Sequence, residues 1–263
     1  MGRGRRGTSE IHHAGIRFQQ RIHFAALLIV FLAGSAFAGG IEFNPEITER
    51  EFREFSEVVG QAIYATPVLP AEGQSLLGFE VGVAVTAVEV SDKAAYYLNS
   101  IDGDITSGGY LLFPRIVVTK GFGGWTIHGS YAATPDSDLE VLGAALDLPI
   151  IDGGLTAPTI AVRATWSEVG GEDDFDMTAW GVEGFISKAF GPVTPYAGFG
   201  IVRTESNGRI DATILTDEIV LSENFENERI TAGVRLSLVV LDIVVEASES
   251  SERSYTARVS LGF

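Results

Sequence analysis

Residues 254–263 read SYTARVSLGF. From Tyr255 every second residue is apolar: Tyr255, Ala257, Val259, Leu261 and Phe263. Thr256, Arg258, Ser260 and Gly262 stand between them. Side chains alternate across a strand, so this stretch predicts a strand with one greasy face and one polar face. The same period of two extends back to Gly78. Phe79, Val81, Val83, Val85 and Ala87 mark the first strand. Others are expected near 110–119, 125–131, 139–150, 160–166, 180–187, 196–201, 230–238, 243–248 and 255–263. Ten strands result, with lengths near the ~9–11 residues that a tilted strand needs to cross a bilayer.

The connections alternate as well. Those after the second, fourth, sixth and eighth strands are tight, and the others are longer and polar, above all 91–109 and 204–228. Short turns on one rim and long loops on the other suit a barrel in an outer membrane, with its short turns in the periplasm. Tyr110, Tyr131, Trp166, Trp180 and Tyr255 lie on the apolar phase near the long-loop ends. Phe122, Trp125, Phe190 and Phe263 lie near the short turns. Two aromatic belts suit two lipid–water interfaces. A secreted β-sandwich, the rival fold, would scatter its aromatics through one core.

The last strand resembles the C-terminal assembly signal of Gram-negative outer-membrane proteins, which end in Phe after alternating apolar residues. In rhythm, residues 78–263 resemble the small OmpA-type and porin-like barrels. The resemblance implies an all-β fold: a transmembrane antiparallel up-and-down barrel of about ten strands, here with an N-terminal amphipathic helix. It implies residence in the outer membrane among lipids and lipopolysaccharide. It also implies assembly by the barrel-assembly machinery, acting through the C-terminal strand.

The start of the chain fits export. Arg3, Arg5, Arg6, Arg17 and Arg21 precede an apolar run at 24–38 that closes on Ala36, Phe37 and Ala38. Fifteen residues are short for a membrane-spanning helix, so residues 1–38 read as a cleaved signal peptide. The alternative is an uncleaved anchor. Residues 1–38 carry a net +4, and removing them from a chain of −17 leaves −21. A chain so acidic repels phosphates, so no nucleic-acid partner is expected. Cysteine is absent, which excludes disulfides and thiolate chemistry.

Residues 39–75 form a second region. Residues 44–66 read as a helix with Asn44 as N-cap, Pro45 in its first turn, and a stripe of Phe52, Phe55, Val59, Ala62 and Ile63. Pro67 and Pro70 end it. The stripe needs a partner. The helix is expected to enter the lumen from the periplasmic mouth as a plug, or to lie flat beneath it. Residues 76–263 form the barrel.

The polar phase carries Glu80, Asp147, Glu183 and Glu246 against Arg115, Arg163, Arg235 and Arg258, four acids and four bases. His128 shares that face. Such a set suggests interlocking pairs that fill a narrow barrel, and the alternative is a charged pore. The acidic loop residues Asp102, Asp104 and 170–176 read as a solvated rim, without the calcium-loop spacing. Ser130 lies two residues from His128 with no oxyanion hole marked, and no enzyme activity, metal or cofactor is expected. The expected function is that of an integral outer-membrane protein, structural or a narrow passive channel for small solutes. The alternative is a barrel whose long loops bind a partner without transport. The oligomeric state stays open.

Overall fold

The computed structural model describes residue 43 and residues 47–91, 94–95, 98, 106–107, 109–133, 139–153, 157–171, 174–210 and 219–262. They fall within one compact unit, Ser35–Phe263. Residues 1–38, expected to be a signal peptide, and Asn44, Pro45, Asp102, Asp104, Glu172, Asp173 and Phe263 lie outside the described residues.

Among the described residues, one complete helix and eleven strands stand out. α1 spans Glu49–Ile63. The strands are β1 (Phe79–Glu89), β2 (Thr106–Ser107), β3 (Tyr110–Gly121), β4 (Thr126–Ala133), β5 (Glu140–Ile151), β6 (Thr159–Gly170), β7 (Phe175–Ser187), β8 (Val193–Ile210), β9 (Ile219–Leu238), β10 (Leu241–Glu249) and β11 (Arg253–Gly262). Each strand from β3 to β10 pairs antiparallel with the next in sequence. β1 pairs with both β3 and β11, so the sheet closes. The short β2 lies beside β3 alone. The wall is therefore a closed, ten-stranded, up-and-down antiparallel barrel. Closure removes every edge along the wall, which a strand protein in hydrocarbon requires.

Burial alternates along each strand, and the apolar phase points outward. Ile116, Leu142, Val182, Phe199, Ile230 and Val245 are all exposed. So are Trp125, Tyr131, Trp166, Trp180 and Tyr255. Trp166 and Trp180 stand directly opposite each other on β6 and β7. Tyr110 and Tyr255 meet edge to face at 6.5 Å. An apolar surface that encircles the molecule far exceeds what a soluble monomer exposes. It is the surface of a protein solvated by lipid.

Three expectations need correction. The helix is capped by Thr48, not Asn44. Thr48 and Glu51 form a capping box, in which the Thr48 N–H donates to Glu51 at 2.8 Å. Second, residues 204–228 are mostly strand. β8 and β9 pair from Val193–Leu236 up to Ile210–Ile219, as a ribbon that rises past the other strands. Third, the contrast between the rims is narrower than read, because β6–β7 and β10–β11 are joined over 171–174 and 250–252. The β8–β9 ribbon and residues 90–109 still set the long-loop rim apart from the rim of turns 122–125, 152–158, 188–192 and 239–240.

Candidate functional site

The inner face of the barrel is occupied by the chain's own N-terminal segment. α1 lies in the half of the lumen nearest the long-loop rim, not at the short-turn mouth where it was expected. Phe52, Phe55, Val58, Val59, Ala62 and Ile63 are buried there. They pack against Val88, Leu111, Phe113, Val141, Val169, Phe175 and Met177 of the wall. Phe43, Phe52, Phe55 and Phe175 form an aromatic cluster with centroids 5.4–6.4 Å apart. Fully burying a large apolar side chain contributes ~1.5–3 kcal/mol, so the two phenylalanines, two valines and the isoleucine together hold the helix by roughly 10 kcal/mol.

Helix and wall match in register along β8. Gly208 faces Phe52, the Ser56 and Ser206 hydroxyls meet at 2.7 Å, Gly60 abuts Thr204, and Tyr64 packs on Val202. Each step is four residues of helix against two of strand. Four helical residues rise ~6 Å and two strand residues ~6.6 Å, so the two ladders stay in step.

Below α1 the chain runs on as a strap, residues 64–72, buried as far as Ala71. It forms no ladder hydrogen bonds with the wall, and its backbone oxygens must still be satisfied. Arginines satisfy them. Arg115 donates to the Thr66 carbonyl at 3.1 Å, Arg258 donates to the Pro67 carbonyl, and Arg163 donates to the Leu69 carbonyl at 3.0 Å. Each of these arginines also binds the wall. Arg115 donates to Thr86 at 2.7 Å. Arg258 pairs with Glu80 at 2.7 Å, and Ser260 donates to the same carboxylate. Arg163 grips Asp147 through Nε at 2.6 Å and Nη2 at 2.7 Å, and stacks 4.6 Å over Phe185.

The other lumen residues complete this network. His128 reaches Asp147 at 3.1 Å through Nε2 and Thr119 at 2.9 Å through Nδ1. Glu183 accepts from Tyr64 at 3.2 Å, and Glu246 accepts from Thr66 at 3.2 Å and from Tyr196 at 2.7 Å. Arg235 pairs with Glu72 of the strap at 3.0 Å. So Glu80, Arg115, His128, Asp147, Arg163, Glu183, Arg235, Glu246 and Arg258 all face inward, and the strap joins them into one network.

The four-against-four balance is incomplete. Arg229 and Glu72 belong to the set. Arg229 is ion-paired with Glu183 at 3.4 Å, donates to Gln61 at 3.2 Å and to Ser248 at 2.7 Å, and covers the Tyr64 ring. It shares the lumen phase of Thr231, but residues 204–228 have the polar composition of a loop, so a strand pattern that starts at Ile230 excludes it by one residue. Glu72 carries no signal at all, because a strap has no period. Small residues give the strap its room: a Cβ at Gly143 would collide with Ala65, and one at Gly181 with the Tyr64 hydroxyl. Val68, at the centre of the strap, has φ 53°, a strained value for a β-branched residue. The Arg258 and Arg163 bonds on either side hold it there.

A closed antiparallel barrel with an apolar outer wall and a charged, filled interior defines an outer-membrane β-barrel protein. The particular family follows from the sequence: a family of unknown function, DUF6588, matches residues 122–263, more than half of the chain, and the chain belongs to it. No curated protein matches the sequence. Among solved structures the chain is similar to the N-terminal β-barrel domain of Pseudomonas aeruginosa OprF. The identity is 10% over 72% of this chain and 100% of that one, with a TM-score of 0.34. It is also similar to Ail, the attachment invasion locus protein of Yersinia pestis, at 14% identity over 73% of this chain and 97% of that one, TM-score 0.32. Neisserial surface protein A shows 13% identity over 70% and 97%, TM-score 0.32. These likenesses are distant, and the barrel is established by its strand pairing.

Proposed function

We propose that this protein is a sealed outer-membrane barrel, structural in role and presenting its long-loop rim, rather than a standing passive channel. Export through the signal peptide at 1–38 and contact with lipopolysaccharide belong to the same reading. One observation carries it: three wall arginines, Arg115, Arg163 and Arg258, each hold a backbone carbonyl of one continuous strap. Above the strap, the apolar side of α1 fills an apolar socket. A passive pore needs polar walls and water, whereas this lumen offers greasy wall to greasy helix. Narrowness adds to the effect, since barrels of few strands are filled by their own side chains.

Planar-bilayer recording tests the proposal. The full mature chain is expected to show no steady ohmic conductance. A variant lacking residues 43–72, refolded to a heat-modifiable barrel, is expected to conduct. A stable, repeatable step from the full chain would overturn the sealed reading.

A further inference from the structure

We infer that α1 stands at the cell-surface mouth of the barrel, and that residues 64–78 cross the membrane as an eleventh, inward-running passage inside the other ten. This rests on the outer-membrane reading above.

The contacts of the segment descend the wall in order. Phe43 lies against Phe175, the first residue of β7, and beside Gly208, near the upper end of β8. Arg53 lies near Glu223 and covers Phe225 on the rising part of β9. Gln61 reaches Ser254 at 2.8 Å, at the top of β11. Tyr64 then meets Glu183 and Thr66 meets Glu246, both at mid-wall. Glu72 accepts from Ser187 at 3.0 Å, the last residue of β7. Gln74 bonds Thr126, the first residue of β4, at 3.0 Å, and the Gly121 N–H donates to the Gly78 carbonyl at 3.0 Å. These partners of the early residues lie on the long-loop side, and these partners of the late ones lie at the short-turn rim. The chain then turns back as β1 to begin the wall.

Short turns face the periplasm and long loops face outward. Polarity follows: the described chain starts outside and runs inward before the barrel begins. It also follows that the helix cannot be drawn towards the periplasm. A helix with side chains is ~10–12 Å wide, and beneath it lie the ion pairs of Arg163, Arg229 and Arg258. The barrel must close around this segment during assembly. In the finished protein the outer mouth presents the first turns of α1 and the β8–β9 ribbon.

The absence of cysteine makes the test clean. Single thiols are introduced as Arg50→Cys on α1, Glu252→Cys on the β10–β11 turn, and Leu77→Cys on the short-turn side. Arg50 and Leu77 are well exposed. Intact cells are treated with a membrane-impermeant maleimide and compared with lysed cells. Arg50→Cys and Glu252→Cys are expected to label as fully in intact cells as after lysis, and Leu77→Cys only after lysis. Labelling of Glu252→Cys without Arg50→Cys overturns the placement of the helix. Labelling of Leu77→Cys in place of Glu252→Cys shows an inverted barrel and overturns the polarity. Labelling of all three only after lysis removes the outer-membrane reading itself, and the inference with it.

Discussion

Arg163 holds Asp147 with two nitrogens, at 2.6 and 2.7 Å, and turns one of those nitrogens to the Leu69 carbonyl at 3.0 Å. A single guanidinium thus ties wall to strap. Both side chains are buried, so neither charge is screened by water. Breaking a buried pair by removing one partner costs ~3–5 kcal/mol, whereas replacing both with apolar residues is often nearly neutral. Asp147→Asn is therefore expected to destabilise the barrel by about 3–5 kcal/mol. Arg163→Met with Asp147→Leu should recover only part of that, because the Leu69 carbonyl and His128 Nε2 are then orphaned at ~1–3 kcal/mol each. Urea unfolding in detergent micelles measures both.

Phe55 packs between Phe43, Phe52 and Phe175. Phe55→Ala leaves a cavity that a rigid barrel wall cannot collapse to fill, and about 3–5 kcal/mol of loss is expected. Heat-modifiable gel migration should show the compact form giving way at a lower temperature.

Gly143 faces Ala65 of the strap, while a Cβ at Gly129 on β4 meets nothing. Gly143→Val is expected to displace the strap and to produce flickering conductance in planar bilayers. Gly129→Ala should leave the barrel sealed and as stable as before, or firmer by roughly 0.5–1 kcal/mol. Equal behaviour of the two variants would show that the strap does not close the lumen.

Val239 has φ 59° in the two-residue turn from β9 to β10, with its side chain fully exposed. That place in a tight hairpin favours glycine. Val239→Gly is expected to stabilise the protein by about 1 kcal/mol, because it relieves left-handed strain without removing a buried contact. A higher midpoint in the same urea titration would show it.

Glu252 is half-buried on the β10–β11 turn. Burial raises its pKa, and so do Glu57, Glu89 and Glu54 nearby. A carboxyl whose folded pKa lies above its unfolded one loses stability when ionised. The penalty is present above the folded pKa and disappears below the unfolded one. Glu252→Gln should therefore stabilise at neutral pH by less than ~1 kcal/mol, given its partial exposure. The gain should vanish as the pH falls through the ordinary glutamate range. Parallel unfolding curves across that range provide the check.

The ten wall strands were legible because a pleated strand in lipid has a strictly local signature, one greasy residue in two. Where that signature stops, reading stops. From 203 to 209 and from 222 to 228 the outward residues are Arg203, Glu205, Asn207, Arg209, Ser222, Asn224, Glu226 and Glu228. That ribbon faces water instead of hydrocarbon, so it looks like loop. Arg229 was missed with it. Thr48 carried its own signal, since Thr48-Glu49-Arg50-Glu51 is a capping box in the bare sequence.

Local patterning specifies a barrel wall, its inward charges and an amphipathic helix in search of a partner. Where that helix lodges, which mouth it occupies and which carbonyls the arginines hold emerge only on folding. A strand pattern is set by neighbours two residues apart. The helix stripe reports only that it needs apolar company, and here that company is spread over strands as far along the chain as Leu221. The strap has no period at all. Its path is fixed by guanidinium groups 49, 94 and 191 residues distant, which become neighbours only once the barrel has closed.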